Sequence, residues 1–417
     1  MRRTDGKDRR MIDFESARKM ILDNTGLLGT RVLKVTDAPG FVLAEDVKSE
    51  TPLPRFDSSA VDGFGVKYAD LEKASPSEPV FLKLKGIIRA GDASDLELDK
   101  GHAIKILTGA PVPESVEAVV MREFVDEDND TVGVKRKVSP GENIRKSGEE
   151  FSCGDIVLKA GTLLTPGAIG MLATLNRTQV TVYRKPTVAL IVTGSETRKP
   201  GEEIGTGQIP ESNSFGLSAA LRTIGISQIT VTHTNDDKIA IGDAFKNALH
   251  DYDVVISSGG VSVGDYDFVK DALNDLGVRT VFWKVAMKPA KPFYFGMHSE
   301  KMIFGLPGNP VSALLSFYLL VKPALNKLSG LDVPKRIMIK AELLSELRKK
   351  PGRKEFVRAK LLHGEDGVFS VQPSRGQDSH MMGGLAAADC LIHFPEQADL
   401  LEKERIVDVE ILQWGNL

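Results

Sequence analysis

Cysteine is nearly absent from this 417-residue chain: Cys153 and Cys390 are its two copies, far apart and in no C-x-x-C pair. That excludes a disulfide framework and a thiolate zinc site, and it fits a reducing compartment. The seven histidines show no H-x-H or H-E-x-x-H spacing, and there is no G-x-S-x-G, so zinc hydrolysis and nucleophile-elbow chemistry are disfavoured. No G-x-G-x-x-G and no G-K-[ST] occur, which removes the ordinary dinucleotide and P-loop signatures. Charge of one sign is also lacking. Lys and Arg total 54 against 57 Asp and Glu, a net charge of -3, so no global positive field recruits nucleic acid. Any anion site has to be local. The basic start MRRTDGKDRRMIDF leads into no signal-peptide stretch, and no run is expected to reach the ~20 apolar residues of a membrane span. The expectation is a soluble, cytoplasmic protein with neither a nucleic-acid nor a membrane partner.

What is present is an ordinary globular composition, 41% hydrophobic and 27% charged, long enough for about three domains. The segment FESARKMILDN places Phe14, Ala17, Met20 and Ile21 at helical spacing. From Pro52 the texture changes to short β-branched runs, VFLKLKGII and AIKILTGAPVP, broken by Gly, Pro and Asp, and then to a hairpin and connector around DEDND and VGVKRKV. This reads as a small β-rich domain. The stretch Gly161 to Arg177 is helix-like and is expected to pack back on the N-terminal helix. Next, TVALIVT, SQITVTH, DVVISS, RTVFWKVA and MIFGLP alternate with helix-like segments. That pattern predicts βαβ units and a parallel sheet covered on both faces, with ligands gathering at the carboxyl ends of its strands. RIMIKAEL, EFVRAKLL, GVFSVQP, CLIHF and RIVDVEIL then predict a terminal β-barrel or sandwich. The resulting fold class is α/β multidomain. Its expected parts are a discontinuous linker domain (1–51 and 144–184), a β-rich domain (52–143), a three-layer α/β domain (185–330) and a C-terminal β-barrel (331–417).

The loop SSGGVSVGDYDFV follows a predicted strand and opens a helix. Gly259, Gly260 and Gly264 either make a tight strand-to-helix turn or let backbone N–H groups approach an anion such as phosphate. Glu196, Asp236 and Asp267 fall at or beyond the carboxyl ends of successive predicted strands. Singly, each reads as a helix cap or a solvated carboxylate. Together, beside a phosphate-sized site, they offer the hard oxygens that Mg2+ takes. The segment FWKVAMKPAKPFYFG carries Lys284, Lys288 and Lys291, stiffened by Pro289 and Pro292, and lysine suits phosphate or a tetrahedral oxyanion. GLPGNPVS sets Pro307, Gly308 and Asn309 as a turn before Pro310, a good first residue of a helix. Asp57, Asp62 and Thr108, in PRFDSSAVDGFGVK and ILTGAPVP, read first as turn residues.

In order along the chain, FDSSAVDGFGV, TGAPVP, GENIRKSGEE, SSGGVSVGDYDFV, FWKVAMKPAKP, GLPGNPVS and GRKEFVR resemble the motifs of the molybdopterin molybdotransferase family, the MoeA proteins and the gephyrin E domain. The chain differs from the family pattern at Val61 and Phe64, at Glu150, at Ser195 and at Ala290. The resemblance implies a MogA-like three-layer domain and a transferase reaction. Molybdate enters the dithiolene of adenylylated molybdopterin, with Mg2+-dependent release of AMP. It implies a catalytic group of Asp62, Thr108, Glu196, Asp236, Asp267, Lys284 and Lys288, with Glu196, Asp236 and Asp267 as metal ligands. The substrate-binding set it implies is Gly259, Gly260, Ser262, Gly264, Lys291, Pro307, Gly308, Asn309 and Ser312, with Arg353 and Ser379 joining Lys288 and Lys291 in a molybdate pocket. A homodimer is implied, the β-rich domain of one copy completing the cleft of the other. Molybdopterin adenylyltransferase and molybdoenzyme acceptors are the implied partners. The competing readings are a molybdopterin-binding scaffold without turnover, a tungstate-specific paralogue and an adenylyltransferase acting on ATP.

Overall fold

The computed structural model describes residues 11–93, 95–235, 237–260, 268–332, 336–364 and 367–415. The chain divides into two compact units, one of Met1–Glu45, Gly161–Gly170 and Thr178–Leu417, the other of Asp46–Ala160 and Met171–Arg177.

The second unit is built on a six-stranded sheet in the order Ala118–Met121, Gly63–Val66, His102–Ile106, Val80–Ile88, Thr131–Val134, Val125–Asp128. All neighbours are antiparallel except Val80–Ile88 and His102–Ile106. Alternation along the strands sends Ala103 and Val120 into one apolar cluster and Ile104, Ile106 and Val119 into another, so both faces are packed. The acidic DEDND stretch forms a hairpin turn, with Asn129 in the left-handed region at φ 46°, a conformation that asparagine tolerates better than most residues.

In the first unit, helix Phe14–Asp23 is capped by Asp13, whose carboxylate accepts from the Ser16 N–H at 2.9 Å. Phe14, Ala17 and Ile21 are buried along one stripe, and Met20 packs beside them. The main sheet runs Ile229–Thr234, Val188–Thr193, Val254–Ser258, Lys301–Leu306, Tyr294–His298, Arg279–Trp283. The first four strands are parallel. One face (Val188, Leu190, Val254, Ile256, Phe304) packs on helices Asn213–Thr223 and Pro310–Ser316. The other (Ala189, Ile191, Val255, Ile303) packs on Lys238–Asp251 and Phe268–Asp275, giving three layers.

Two expectations need correction. The sheet is mixed, because Tyr294–His298 pairs antiparallel with both Lys301–Leu306 and Arg279–Trp283. Only two residues join Tyr294–His298 to Lys301–Leu306, and a connection that short admits only an antiparallel pair. The proline-rich approach KPAKPFYFG hid this strand. Second, the continuous helix Pro310–Leu328 is long and apolar enough to cross a membrane by length and composition, yet 83% of it is buried inside the protein. A helix apolar on all sides is what the centre of a large core requires.

The C-terminal strands Met338–Leu343, Ile406–Ile411, Cys390–Phe394, Lys354–His363 and Phe369–Pro373 close on themselves, the last pairing parallel with the first. This is a five-stranded barrel filled by Leu343, Val357, Val371, Ile392, Phe394 and Val409. Met287–Lys288 adds beside Lys354–His363 and so ties the α/β sheet to the barrel. Cys153 and Cys390 are both free thiols.

Candidate active site

Strand Val188–Thr193 sends its chain first to the edge strand Ile229–Thr234 and then, past itself, to Val254–Ser258. The reversal opens a crevice at the carboxyl ends of Val188–Thr193 and Val254–Ser258, where open α/β sheets bind ligands. The crevice is there. A cavity of about 540 Å³ is lined by Thr193, Gly194 and Glu196 from one strand end, Gly259 and Gly260 from the other, and Pro307, Gly308 and Asn309 from the adjoining turn. Its size suits a bicyclic ligand.

Gly259 and Gly260 adopt φ of 91° and 67°, left-handed conformations that favour glycine. A Cβ on Gly259 would lie 2.7 Å from Thr193 Oγ1 and 2.8 Å from its carbonyl oxygen, and one on Gly260 would lie 2.6 Å from Val269 Cγ2. Backbone therefore lines the cavity where side chains cannot fit. Asn213 Nδ2 donates to Ser258 Oγ at 2.8 Å and to the Gly308 carbonyl at 2.7 Å, fixing the two turns against each other. Asn213 Oδ1, Thr193 Oγ1 and Ser257 Oγ are buried without a hydrogen-bond partner among the described residues. Polar atoms left so in a crevice are free for a bound molecule.

The far wall is a short flap in which Thr197–Arg198 pairs with Ile209–Pro210. Glu196 hangs from it into the cavity, exposed and with no hydrogen bond or ion pair recorded to another described residue. Glu211, by contrast, is buried and committed to the Ser214 N–H at 2.8 Å and to the Ser214 hydroxyl. A smaller cavity of about 170 Å³ adjoins behind the flap, lined by Arg198, Lys199, His233 and Asn235. A single unengaged carboxylate oxygen donor is suitable for a hard divalent cation, and Glu196 fits that role. Asp236 and Asp267, the other two expected ligands, lie outside the described residues, as do Ser262 and Gly264. Among the described residues no group of three acidic, His or Cys side chains is clustered as a metal site.

The lysine segment separates two sites. Lys288 lies in another cavity, of about 210 Å³, with Lys349, Lys350, Arg353 and Glu355, while Pro292, four residues on, lines the large one. Glu355 is 8% exposed and accepts from Lys288 Nζ at 2.7 Å, leaving three cations without a carboxylate of their own in that cavity. Burial pushes Lys349 below the usual lysine range. Lys284 takes φ 72° and places Nζ 5.9 Å from the Trp283 ring. Ala290 stands at φ 74°, in the turn where the family pattern has glycine. Lys291 holds that turn through its carbonyl, which accepts from the Val285 N–H at 3.0 Å.

Ser379 is not with Arg353. Its hydroxyl accepts from Asn309 Nδ2 at 2.8 Å, and its carbonyl accepts from the Val311 N–H at 3.2 Å, beside His380 on the rim of the large cavity. The loop carrying it is held from below by Arg358, 1% exposed, which donates to the carbonyls of Gly376 (2.8 Å), Asp378 (3.2 Å) and Met381 (3.3 Å). Ser312 is buried in the first turn of the core helix.

In the second unit Asp62 Oδ1 accepts from both the N–H and the hydroxyl of Thr108, at 2.7 Å each. The backbone N–H and the hydroxyl of Thr108 hold this exposed carboxyl below the ordinary aspartate value. Asp57 is a local clamp, bonded to Lys146 Nζ at 2.6 Å and the Ser147 N–H at 2.8 Å. Sequence reasoning missed Thr193, Asn213, Lys349, Lys350 and Arg358. Asn213 and Thr193 read as cap and strand-end residues, and the signal that finds them is their meeting at the switch point.

Three family models match the chain in order: MoeA N-terminal region (domain I and II) over residues 12–176, probable molybdopterin binding domain over 189–327, and MoeA C-terminal region (domain IV) over 340–412. A molybdopterin molybdenumtransferase of Haemophilus influenzae is 35% identical over 398 residues, 95% of each chain. The chain belongs to the MoeA family of molybdopterin molybdenumtransferases. A molybdopterin molybdenumtransferase 2 of Mycobacterium tuberculosis is 39% identical over 367 residues, 87% of this chain and 90% of that one. The crystal structure of a molybdopterin biosynthesis moeA protein from Pyrococcus horikoshii OT3 superposes with a TM-score of 0.83 at 30% identity, covering 97% of this chain and 100% of that one. This member of the MoeA family is accordingly an enzyme, a transferase.

Proposed function

We propose that this MoeA-family chain inserts molybdenum from molybdate into adenylylated molybdopterin, with Mg2+-dependent release of AMP, in the cytoplasm. One observation carries the reading: the segment Lys288–Pro292 runs from a small cavity rich in Lys and Arg to a large crevice at the switch point, with Glu196 unengaged on its wall. The small cavity suits a compact oxyanion. The large one suits a pterin, whose polar edge would meet the free oxygens of Asn213 and Thr193 and the backbone at Gly259 and Gly260.

The chain's own residues then bind, orient and neutralise. Lys288, Lys350 and Arg353 hold the oxyanion by charge and hydrogen bonds. Glu196, with Asp236 and Asp267, would hold magnesium, which supplies positive charge to phosphate oxygens as the pyrophosphate link breaks. Charge aimed at where charge develops is the largest single effect available to such a site. The work is done as a homodimer, and molybdopterin adenylyltransferase and molybdoenzyme acceptors are the proposed partners.

Purified protein given Mg2+, molybdate and adenylylated molybdopterin is expected to release AMP, and Glu196→Gln to slow release by about a hundred-fold while leaving the circular dichroism spectrum unchanged. Equal rates in the two proteins remove Glu196 from the mechanism. Binding of the pterin without AMP release supports the scaffold reading, release with tungstate but not molybdate supports the tungstate paralogue, and ATP consumption without molybdate supports an adenylyltransferase.

A further inference from the structure

Away from the crevice, where the N-terminal helix, the core helix and the barrel meet, a small cavity of about 50 Å³ is lined by Arg18, Lys322, Arg336 and Glu410 among others. Three cations face one carboxylate. That carboxylate is already used: Glu410, 2% exposed, is bonded through Oε2 to His393 Nε2 at 2.7 Å and lies 3.9 Å from Arg336 Nη1, too far for a hydrogen bond. Lys322 donates to the carbonyls of Gln413 and Gly415, neutral acceptors that leave its charge uncompensated. Glu15, which accepts from Arg336 Nη2 at 3.1 Å, is shared with Lys354 at 2.9 Å.

Two guanidinium atoms in this cluster, Arg18 Nε and Arg336 Nη1, are buried and have no hydrogen-bond partner among the described residues. Buried N–H groups of a cation without an acceptor are rare and costly. Burial, and then the charge of Arg336, push Arg18 below the usual arginine value, so the two side chains repel across the same space. A water molecule would satisfy the N–H groups and leave the charge standing. An anion does both. The cavity has more than the ~10–15 Å³ that one water requires, but it is far too small for a nucleotide or an organic phosphate.

We infer that this cavity is a binding site for one small monovalent anion of halide size, held between the guanidinium groups of Arg18 and Arg336. An anion there joins three elements that are remote in sequence, and it acts on stability by binding only the folded chain. This site is independent of the transfer reaction proposed above.

The test uses the full chain. Crystals soaked in sodium bromide should show an anomalous peak between Arg18 and Arg336. In melting scans at constant ionic strength, replacing sodium gluconate by sodium bromide or chloride should raise Tm by several degrees and saturate. Arg336→Gln should abolish that rise, and Arg18→Met serves as the second variant if the first does not fold. No peak together with identical melting in gluconate and bromide overturns the proposal, since the cavity then holds water. An equal rise with sulfate overturns it as a general salt effect. A peak without halide-dependent melting is an adventitious ion only and overturns it too.

Discussion

Arg358 shows how much of the crevice depends on a side chain that touches no ligand. It is fully buried, yet its partners are three loop carbonyls and Gln377 Oε1, with no carboxylate among them. The guanidinium is favourable there because a planar fork reaches several acceptors at once. The loop it gathers, Gly376 to Met381, carries Ser379 and His380 to the rim. Arg358→Lys keeps the charge but cannot span the acceptors, so carbonyls lose their donor; the expected cost is about 2 kcal/mol in urea unfolding. As a positioning residue it should also raise KM for the pterin substrate more than it lowers kcat. A variant with wild-type KM and reduced stability would restrict Arg358 to a structural role.

At the opposite edge of the sheet, Asp253 fastens the amino ends of the two central strands. It accepts from Arg184 at 2.6 and 2.8 Å, from the Thr187 N–H at 2.9 Å and from the Thr187 hydroxyl at 3.0 Å. Burial works against its charge, but the bonds from Arg184 and Thr187 outweigh that and hold its pKa below the ordinary aspartate value. A depressed carboxyl stabilises the fold above its unfolded pKa, and the contribution fades as pH falls through the folded pKa. Because Arg184 remains part-exposed, Asp253→Asn is expected to cost about 2 kcal/mol at pH 7. Urea midpoints should show the difference from wild type narrowing below pH 4; a pH-independent difference would mean packing, not charge, is lost. The strands that Asp253 joins were readable as apolar runs, VALIVT and VVISS, since a strand covered on both faces must be apolar throughout. The five barrel strands were readable for a related reason, each being a short run bounded by turn residues. Tyr294–His298 was not, because its apolar residues follow two prolines and merge with the lysine segment. Neither was the pairing of Ser379 with Asn309 in place of Arg353, since a loop's destination depends on buried donors such as Arg358, which in sequence is one more strand residue.

Asp62 and Thr108 pose the remaining question, because a pre-formed, exposed carboxylate pair in the β-rich unit has no local task. Its geometry is set by two short bonds from one residue, the kind of fixed acceptor that serves a ligand or a partner. The proposed homodimer gives it one: each copy's pair would act at the crevice of the other. Twofold symmetry makes this decidable by mixing. Asp62→Asn and Glu196→Gln chains should each be nearly inactive alone. If the site is built from both copies, mixed dimers contain one crevice with an intact Glu196 and an intact Asp62 and one with neither. Random reassociation makes half the dimers mixed, with one working site of two, so AMP release should return to about a quarter of wild type. If each crevice is completed by its own chain, no mixture can regain activity, because every site then carries one of the two lesions. Sedimentation of the same mixtures establishes whether the subunits exchanged, so that failure of reassociation is separated from failure of the shared site.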